Sequence, residues 1–345
     1  MTATLPAPRE EAWDCPAATL VLPADAPEAE WLAARRRGLG GSDASTIAGL
    51  ANPNYTSLYT LWMDKTGRRK AERSTRQMRM GKLMEPVLAQ LFTEDTGLEI
   101  RRQGLMRSKA LPWMQVTLDG LTSDGGIMEF KTTNWRTDDA RIWLGGDIPD
   151  HAECQSQWGM AVTGRSHSYA MGMVDSGWTY QWKRVERDDQ LIDLLIEMGY
   201  RLWHHHVVPD VAPPVDSSEA TLTALKALYG QADEGTEATG DAGVLAKYLE
   251  WRVAKADEAD GRARARDLEG VLIDAFGTAD HLLVQGEEIA SRKQNGKLIE
   301  SVFRELYPGL AAECVTTALD VDRIKKEHPA AYAACRARVL RPVKK

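Results

Sequence analysis

The sequence predicts an α/β (α+β) fold in which a central mixed β-sheet is flanked by helices and is followed by a mainly helical appendage. Between residues 28 and 206, segments with helical apolar spacing are interspersed with short alternating segments that are typical of strands. After the proline-rich stretch 209–214, the composition turns to alanine and charged residues, which indicates a second unit.

The chain of 345 residues is long enough for two or three such units. We expect an irregular lead-in over residues 1–29, a catalytic or binding domain over 30–214, and a mainly helical region over 215–345. No apolar run approaches the ~18 residues that a membrane-spanning helix needs, and no charged leader precedes an apolar stretch, so a cytoplasmic protein is expected. The four cysteines are far apart in sequence and predict ordinary reduced thiols.

Helices are predicted where apolar residues recur at helical spacing between caps and glycine stops. They cover residues 28–37, the segment capped by Ser42-Asp43, and residues 57–66, 80–96, 149–164, 188–206, 242–276 and 320–338. Pro86 lies inside the fourth helix, which should therefore begin near Met84 or bend there. Strands are predicted at 98–102, 104–107, 116–119, 127–132, 169–174 and 178–186, and as a pair around 281–293. Residues between 133 and 148 are expected to form a loop.

Charged residues are concentrated in the stretch from Val116 to Lys131, which otherwise reads as buried strand. Asp124-Gly125-Gly126 offers the positive φ angles of a tight turn, so 116–119 should pair antiparallel with 127–132 and bring Asp119 towards Glu129. Because side chains alternate along a strand, Glu129 and Lys131 should share one face.

Two interpretations of that charged face are open. An ion pair on a solvent-facing hairpin is common and contributes little to stability. Alternatively, two carboxylates supply hard oxygen ligands to Mg²⁺, and a neighbouring lysine orients or deprotonates a water. Glu85, beside Pro86, is a candidate for a further carboxylate. Gln155 and Gln157 lie about 200° apart on their helix, so at most one of them can face the site.

The net charge of −7 argues against indiscriminate nucleic-acid binding. Residues 65–82 nevertheless hold eight basic residues against one acid, and Arg35-Arg36-Arg37 precede a glycine-rich segment that enters a helix at Ser42. Such segments can hold phosphate groups locally, with an affinity that falls as salt rises. A solvated basic loop and a simple helix cap are the alternatives.

Five segments together resemble the YqaJ-like phage nucleases, which belong to the lambda exonuclease family of the PD-(D/E)xK superfamily. They are Gly-Leu-Gly-Gly-Ser-Asp-Ala at 38–44, Met-Gly-Lys-Leu-Met-Glu-Pro at 80–86, Leu-Asp-Gly at 118–120, Glu-Phe-Lys at 129–131 and Gln-x-Gln-Trp-x-Met-Ala-Val-Thr-Gly at 155–164. The resemblance covers about residues 30–210 and departs at Leu118, where the family has proline. It implies a restriction-endonuclease-like nuclease core within 30–214.

The resemblance also implies roles for individual residues. Asp119, Glu129 and the backbone carbonyl of Phe130 would bind Mg²⁺, with Mn²⁺ able to substitute, and Lys131 would position or activate the attacking water. Glu85 would serve the metal directly or through water, and Gln155 corresponds to the helix glutamine beside the site.

A second implied site concerns the DNA end. Arg36, with Ser42 in the following loop, falls near the place where the family holds a 5′-phosphate. The adjacent Arg35 and Arg37 are equally candidates for this contact, because three arginines stand together and the loop aligns only approximately.

The activity implied by the resemblance is Mg²⁺-dependent hydrolysis of linear double-stranded DNA, 5′-to-3′, which leaves single-stranded DNA for phage-type recombination. The implied partners are duplex DNA with a free end, a phage single-strand annealing protein and two further copies in a homotrimeric ring. The location would be the host cytoplasm for a phage-encoded protein, without a membrane. An endonuclease on the same fold and a non-catalytic DNA-binding recombination module are the alternative functions.

Overall fold

A computed structural model describes residues 10–69, 75–174, 179–229, 237, 239–294, 296–314, 319–336 and 339–342. The chain divides into two compact units, Met1–Glu234 and Gly235–Lys345. Within the described ranges, none of the helices combines the length and the apolar character that a membrane crossing requires.

The first unit contains eight α-helices and eight strands in its described residues. The helices are α1 (Glu28–Arg35), α2 (Gly41–Ile47), α3 (Leu58–Lys65), α4 (Arg76–Thr96), α5 (Asp138–Leu144), α6 (Asp150–Thr163), α7 (Asp189–Leu202) and α8 (Glu219–Leu228). The strands are β1 (Ala18–Leu22), β2 (Ile100–Arg101), β3 (Leu105–Ser108), β4 (Gln115–Thr117), β5 (Gly120–Thr122), β6 (Ile127–Thr133), β7 (His167–Val174) and β8 (Thr179–Glu186). A short 3₁₀ turn precedes β1, and a π-helical turn follows α7.

The central sheet of the first unit has five strands in the order β2-β5-β6-β7-β8. Strands β6 and β7 run parallel and the other neighbours run antiparallel, so the prediction of a mixed sheet is confirmed. On one face, Leu88 and Phe92 of α4 pack against Met128 and Phe130. On the other face, Ile127 lies in a core cluster with residues of α2, α6 and α7. Helices therefore flank the sheet on both sides, as predicted.

The predicted pairing of 116–119 with 127–132 is wrong. β4 pairs with β3 in a separate three-stranded sheet, β1-β3-β4, and it is β5 that pairs antiparallel with β6. The tight turn itself is present, since Gly125 has a φ of 91° and donates its backbone N–H to Thr122. Asp119 thus lies where the chain passes from one sheet to the other.

Three further expectations are corrected. The lead-in is not irregular throughout, because Ala18–Leu22 forms β1 and pairs with β3. The segment expected to be a loop contains α5, whose first turn is capped by the side chain of Thr137. Helix α4 begins at Arg76 rather than near Met84, so Pro86 lies in its interior.

The second unit consists of α9 (Ala242–Phe276), β9 (His281–Val284), β10 (Glu287–Lys293), α10 (Glu300–Leu306), α11 (Pro308–Glu313), α12 (Val321–Glu327), α13 (Pro329–Ala334) and β11 (Val339–Pro342). The predicted bounds of α9 and the predicted strand pair are confirmed. The single helix predicted over 320–338 is wrong, because Pro329 starts a new helix after a break at His328. Residues 337 and 338 lie outside the described ranges.

The first unit extends beyond residue 214, where a boundary is predicted. Tyr59 and Met63 of α3 pack with Ala224 of α8. The hydroxyl groups of Ser57 and Thr221 lie 2.7 Å apart in a buried hydrogen bond. Helix α8 therefore covers apolar surface of α3, and we treat it as part of the first unit.

This packing predicts different stabilities for two fragments, 1–214 and 1–234. Because the shorter fragment exposes Tyr59 and Met63 and loses the hydrogen bond between Ser57 and Thr221, its free energy of unfolding should be lower by roughly 2–4 kcal/mol. Urea unfolding followed by tryptophan fluorescence measures the difference. Equal stabilities would mean that α8 does not belong to the folded unit.

Candidate active site

Asp119 is held against β6 by a hydrogen bond to the backbone. The β5–β6 ladder pairs Gly120 with Met128 and does not continue further along β6. The backbone N–H of Phe130 instead donates to Asp119 Oδ2, at 2.7 Å. The carboxylate therefore takes the place of a backbone acceptor at the point where the ladder ends, and it lies beside Glu129 and Lys131.

Lys131 joins this strand to α6. Its Nζ donates to Glu129 Oε1 at 2.5 Å and to Gln155 Oε1 at 2.8 Å. Gln157, the other glutamine, turns away and bonds to the backbone of Glu186 and Asp188. The structure thus brings Gln155 to the charged face and excludes Gln157, which helical phase alone could not decide.

The charged face is not a solvent-facing surface, since Glu129 is only 6% exposed. Burial, together with the charges of Asp119 and Glu85, raises the pKa of Glu129 to about 7, although Lys131 opposes the shift. Burial also raises the pKa of Asp119. Burial alone would lower the pKa of Lys131. The nearby carboxylates, of which Glu129 has the largest effect, outweigh burial, so the pKa of Lys131 is raised. Lys131 is therefore an ammonium group among carboxylates that are costly to ionise.

Glu85 approaches the same group from α4. Burial and the charge of Asp119 raise its pKa, whereas Arg102 and Lys82 lower it. Close approach of α4 to β6 is possible because Gly81 has no side chain; a Cβ there would lie 3.3 Å from Thr132 Oγ1. The carboxylates of Glu85, Asp119 and Glu129 are hence close enough for the charge of one to raise the pKa of another.

The donor set fits a hard divalent cation. In the described part of the chain, no three His, Cys, Asp or Glu side chains form a group that could hold a metal ion on their own. Mg²⁺ seldom needs three protein ligands, because it keeps several waters and is usually bound by one or two carboxylates together with substrate phosphates. Asp119 and Glu129 would provide such a pair. The pKa of Glu129 is raised by burial first and by neighbouring carboxylates second, and a bound cation would favour its ionised form.

The predicted phosphate-binding residues separate into two groups. Arg35 points to the loop, where its Nη2 donates to Ser42 Oγ, and its guanidinium lies over the ring of Trp31. Arg36 and Arg37 are exposed after the end of α1, and neither has a described side-chain contact with Ser42. The structure therefore pairs Ser42 with Arg35.

The start of α2, which carries Ser42, adjoins α6. A Cβ at Gly41 would lie 3.4 Å from Gln155 Cγ. Gln155 in turn accepts the hydrogen bond from Lys131. The side chain of Gln155 therefore lies next to the start of α2 and also contacts the charged face.

Sequence reasoning missed two residues of this region. It treats Asp43 only as a helix cap and Lys65 only as one member of a basic run, yet the two form a buried ion pair at 2.7 Å. The available signal is that Lys65 follows Leu61-Trp62-Met63 on a helix whose side chains are mostly apolar, where a solvated lysine is out of place.

Comparison with known proteins identifies the part of the chain that holds this site. Residues 30–166 match the YqaJ-like viral recombinase domain. The chain is similar to that family over these residues. All of the predicted site residues, from Arg35 to Gln155, lie within this range.

A relative and two solved structures are similar over larger parts of the chain. Uncharacterized protein YqaJ of Bacillus subtilis (strain 168) is 26% identical over 293 residues, which are 82% of this chain and 91% of that protein. LHK-Exo in complex with dAMP is 26% identical and covers 51% of this chain and 91% of its own, with a TM-score of 0.45. A second structure, of the alkaline exonuclease LHK-Exo from Laribacter hongkongensis, is 22% identical over 51% of this chain and 91% of its own, with a TM-score of 0.43.

The raised pKa of Glu129 predicts how stability depends on pH in metal-free protein. The folded protein holds the proton on Glu129 more tightly than the unfolded chain does, and this difference stabilises the fold. The stabilisation is fully present below the unfolded-state pKa of 4.5 and is lost as pH rises through about 7. Between about pH 5 and about pH 8, wild type should lose roughly 3 kcal/mol relative to Glu129→Gln, since one pKa unit corresponds to about 1.4 kcal/mol.

Urea unfolding in the presence of a chelator measures this loss. Glu99→Gln, at an exposed position, is the matched control and should follow wild type. Added Mg²⁺ should stabilise wild type more at the higher pH, where Glu129 is ionised. If the free energies of unfolding of wild type and Glu129→Gln depend on pH in parallel, the pKa of Glu129 is not raised.

Proposed function

We propose that the protein is a Mg²⁺-dependent DNA exonuclease that degrades one strand of linear duplex DNA from its 5′ end. The observation that carries the proposal is the group formed by Asp119, Glu129, Lys131 and Gln155, in which a lysine is held between a carboxylate and an amide beside a second carboxylate. Its position within the residues that match the YqaJ-like viral recombinase domain supports a role in DNA processing.

Phosphodiester hydrolysis forms a bond from a water oxygen to phosphorus and breaks the bond to the leaving oxygen. When bound, Mg²⁺ supplies a Lewis acid that makes a water nucleophilic and compensates charge on the phosphate. Asp119 and Glu129 would hold the cation, and the carbonyl of Phe130 and the carboxylate of Glu85 are further oxygen donors nearby. Lys131, fixed by Gln155, donates a hydrogen bond that orients the water for attack.

Basic residues near the carboxylates support DNA as the substrate. The charges of Arg102 and Lys82 act on Glu85, and both side chains are exposed. A phosphate backbone can therefore lie close to the carboxylates although the whole chain has a net charge of −7. Binding of this local kind should weaken steeply with salt.

The 5′ direction is supported by the position of Arg35 and Ser42. We assign Arg35 rather than Arg36 as the arginine that meets a terminal 5′-phosphate, because Arg35 alone of the three arginines is described with a bond to Ser42. A guanidinium matches phosphate geometry with paired donors. A terminal phosphate bound beside Gln155 would restrict hydrolysis to DNA ends and fix its starting point.

Other expectations stay predictions. These are substitution of Mg²⁺ by Mn²⁺, a phage single-strand annealing protein as partner, a homotrimeric ring, location in the host cytoplasm, and a nuclease role for the domain predicted over residues 30–214.

Lys131→Ala tests the catalytic proposal. The variant should release nucleotides from linear duplex at least about 100-fold more slowly than wild type, because the group that orients the water is removed. The measurement is the initial rate with Mg²⁺ on end-labelled duplex, together with duplex binding. Lys183→Ala is the matched control, since Lys183 is exposed, pairs with Asp147 at 2.8 Å and has no described bond to Asp119, Glu129, Lys131 or Gln155.

Unchanged activity in Lys131→Ala would exclude the assigned role of Lys131. If wild type binds duplex but releases no nucleotides with Mg²⁺ or Mn²⁺, the protein is a non-catalytic DNA-binding module instead.

The position of the label decides between modes of cleavage. Wild type should release a 5′-end label before a 3′-end label and should leave closed circular duplex intact, because the proposed phosphate site requires an end. Gel analysis of linear and circular substrates at equal protein concentration measures both outcomes. Cleavage of closed circles would identify an endonuclease, and earlier release of the 3′ label would reverse the direction.

A further inference from the structure

A buried ion pair lies beneath the Arg35–Ser42 pair. Lys65 Nζ and Asp43 Oδ2 are 2.7 Å apart, and the two side chains are only 4% and 8% exposed. Asp43 Oδ2 also accepts a hydrogen bond from the backbone N–H of Gly40 at 2.7 Å. The other oxygen, Oδ1, lies 3.5 Å from Arg35 Nη2. One carboxylate is thus shared by two cations, and Lys65 is the closer of them.

Lys65 also contacts the backbone of Arg35. Its Nζ donates to the carbonyl oxygen of Arg35 at 3.2 Å, and Gln115 Nε2 donates to the same oxygen at 2.6 Å. The last turn of α1, from which the Arg35 side chain projects, is therefore fixed by two side chains from other elements.

The unequal sharing of Asp43 has an electrostatic consequence. Burial alone would raise the pKa of Asp43, but Lys65 and Arg35 outweigh it and the pKa is lowered, so the carboxylate stays charged. A buried carboxylate needs a cationic partner, and loss of one partner strengthens its hold on the other. Without Lys65, the cation left beside Asp43 in the described residues is Arg35, whose planar guanidinium can form a two-bond pair with a carboxylate.

We infer that Lys65 is a positioning residue for terminal-phosphate recognition: by neutralising Asp43 it leaves the guanidinium of Arg35 available to an anionic DNA end. The inference rests on the proposed function, in which Arg35 and Ser42 meet the 5′-phosphate. The side chain of Lys65 is itself buried against Asp43 of α2 and would not touch the DNA.

A Lys65 that keeps Arg35 available and a Lys65 that only stabilises the fold predict different results for a double variant. Lys65→Met removes the cation, so Asp43 should capture Arg35 and the preference for a 5′-phosphate should fall. Adding Asp43→Asn removes the competing charge while keeping an oxygen that can accept from Gly40. The double variant should therefore regain the preference, although it lacks the buried ion pair altogether.

The experiment compares duplexes that carry a 5′-phosphate or a 5′-hydroxyl group. Binding is measured by fluorescence anisotropy with the full chain, and digestion by KM and kcat with Mg²⁺. Wild type and the conservative variant Lys65→Arg should favour the phosphorylated duplex, whereas Lys65→Met should lose about tenfold of that preference, in binding and KM rather than in kcat. Lys65→Met/Asp43→Asn should recover it, and Lys183→Met, at an exposed ion pair, should behave as wild type.

The outcomes separate this inference from the proposed function. A phosphate preference that survives in Lys65→Met, or one that the folded double variant does not recover, overturns the inference and leaves the exonuclease proposal in place. Equal binding of both duplexes by wild type overturns the inference and the phosphate site together. Preferential binding that follows the expected order without any digestion supports the inference and overturns the exonuclease proposal.

Should Lys65→Met fail to fold, as judged by thermal unfolding, the double variant and Lys65→Arg still test the inference. If either of these two folded variants loses the preference for a 5′-phosphate, the inference about Lys65 is overturned.

Discussion

Glu129 is a carboxylate placed almost entirely out of water, and the candidate site depends on how that charge is compensated. Lys131, two residues along the same strand, lies within 2.5 Å and opposes the effect of burial. The compensation is incomplete, because burial is the largest effect, Asp119 and Glu85 add to it, and the pKa of Glu129 still rises to about 7. The site thus holds an excess of negative charge that a bound divalent cation would relieve. The same excess keeps Lys131 protonated, so that it serves as a hydrogen-bond donor.

The fold brings these groups together from elements that are distant in sequence. Asp119 reaches β6 because the chain changes sheets at that residue and leaves the N–H of Phe130 for a side-chain acceptor. Glu85 comes from α4 and Gln155 from α6, which lie on opposite faces of the central sheet. Glu129 and Lys131 on β6 are thus met by side chains from both flanking helices and from the β4–β5 connection, so the geometry of the candidate site is set by several packed segments and not by one loop.

Much of the fold could be predicted from the sequence, because helices such as α9 have clear caps and apolar spacing. The members of the candidate site were predicted from the resemblance to known nucleases, and their roles stay predictions. The strand partner of β6 could not be predicted. Residues 116–122 mostly alternate between apolar and polar side chains with only Leu118-Asp119 between the two strands, and alternation alone does not tell where one strand ends and the next begins. Sequence spacing also could not choose among Arg35, Arg36 and Arg37, since each successive residue turns about 100° around the helix and only the packing of α1 fixes its direction. The buried pair of Asp43 and Lys65 joins α2 to α3, and such pairings appear only once helices are packed.

The distribution of charge explains how an acidic chain can act on DNA. A uniform surface with a net charge of −7 would repel a phosphate backbone. Here the carboxylates are concentrated at the proposed metal site. Basic side chains lie in the same region: Arg102 and Lys82 act on Glu85, and Arg35 bonds to Ser42. Helix α2 begins at Gly41 against Gln155, the glutamine that accepts a hydrogen bond from Lys131. Asp43 of the same helix is compensated by Lys65, which lies closer to it than Arg35 does. In the proposed function, the guanidinium of Arg35 would therefore be available to a DNA end, while Asp119 and Glu129 would be available to the metal.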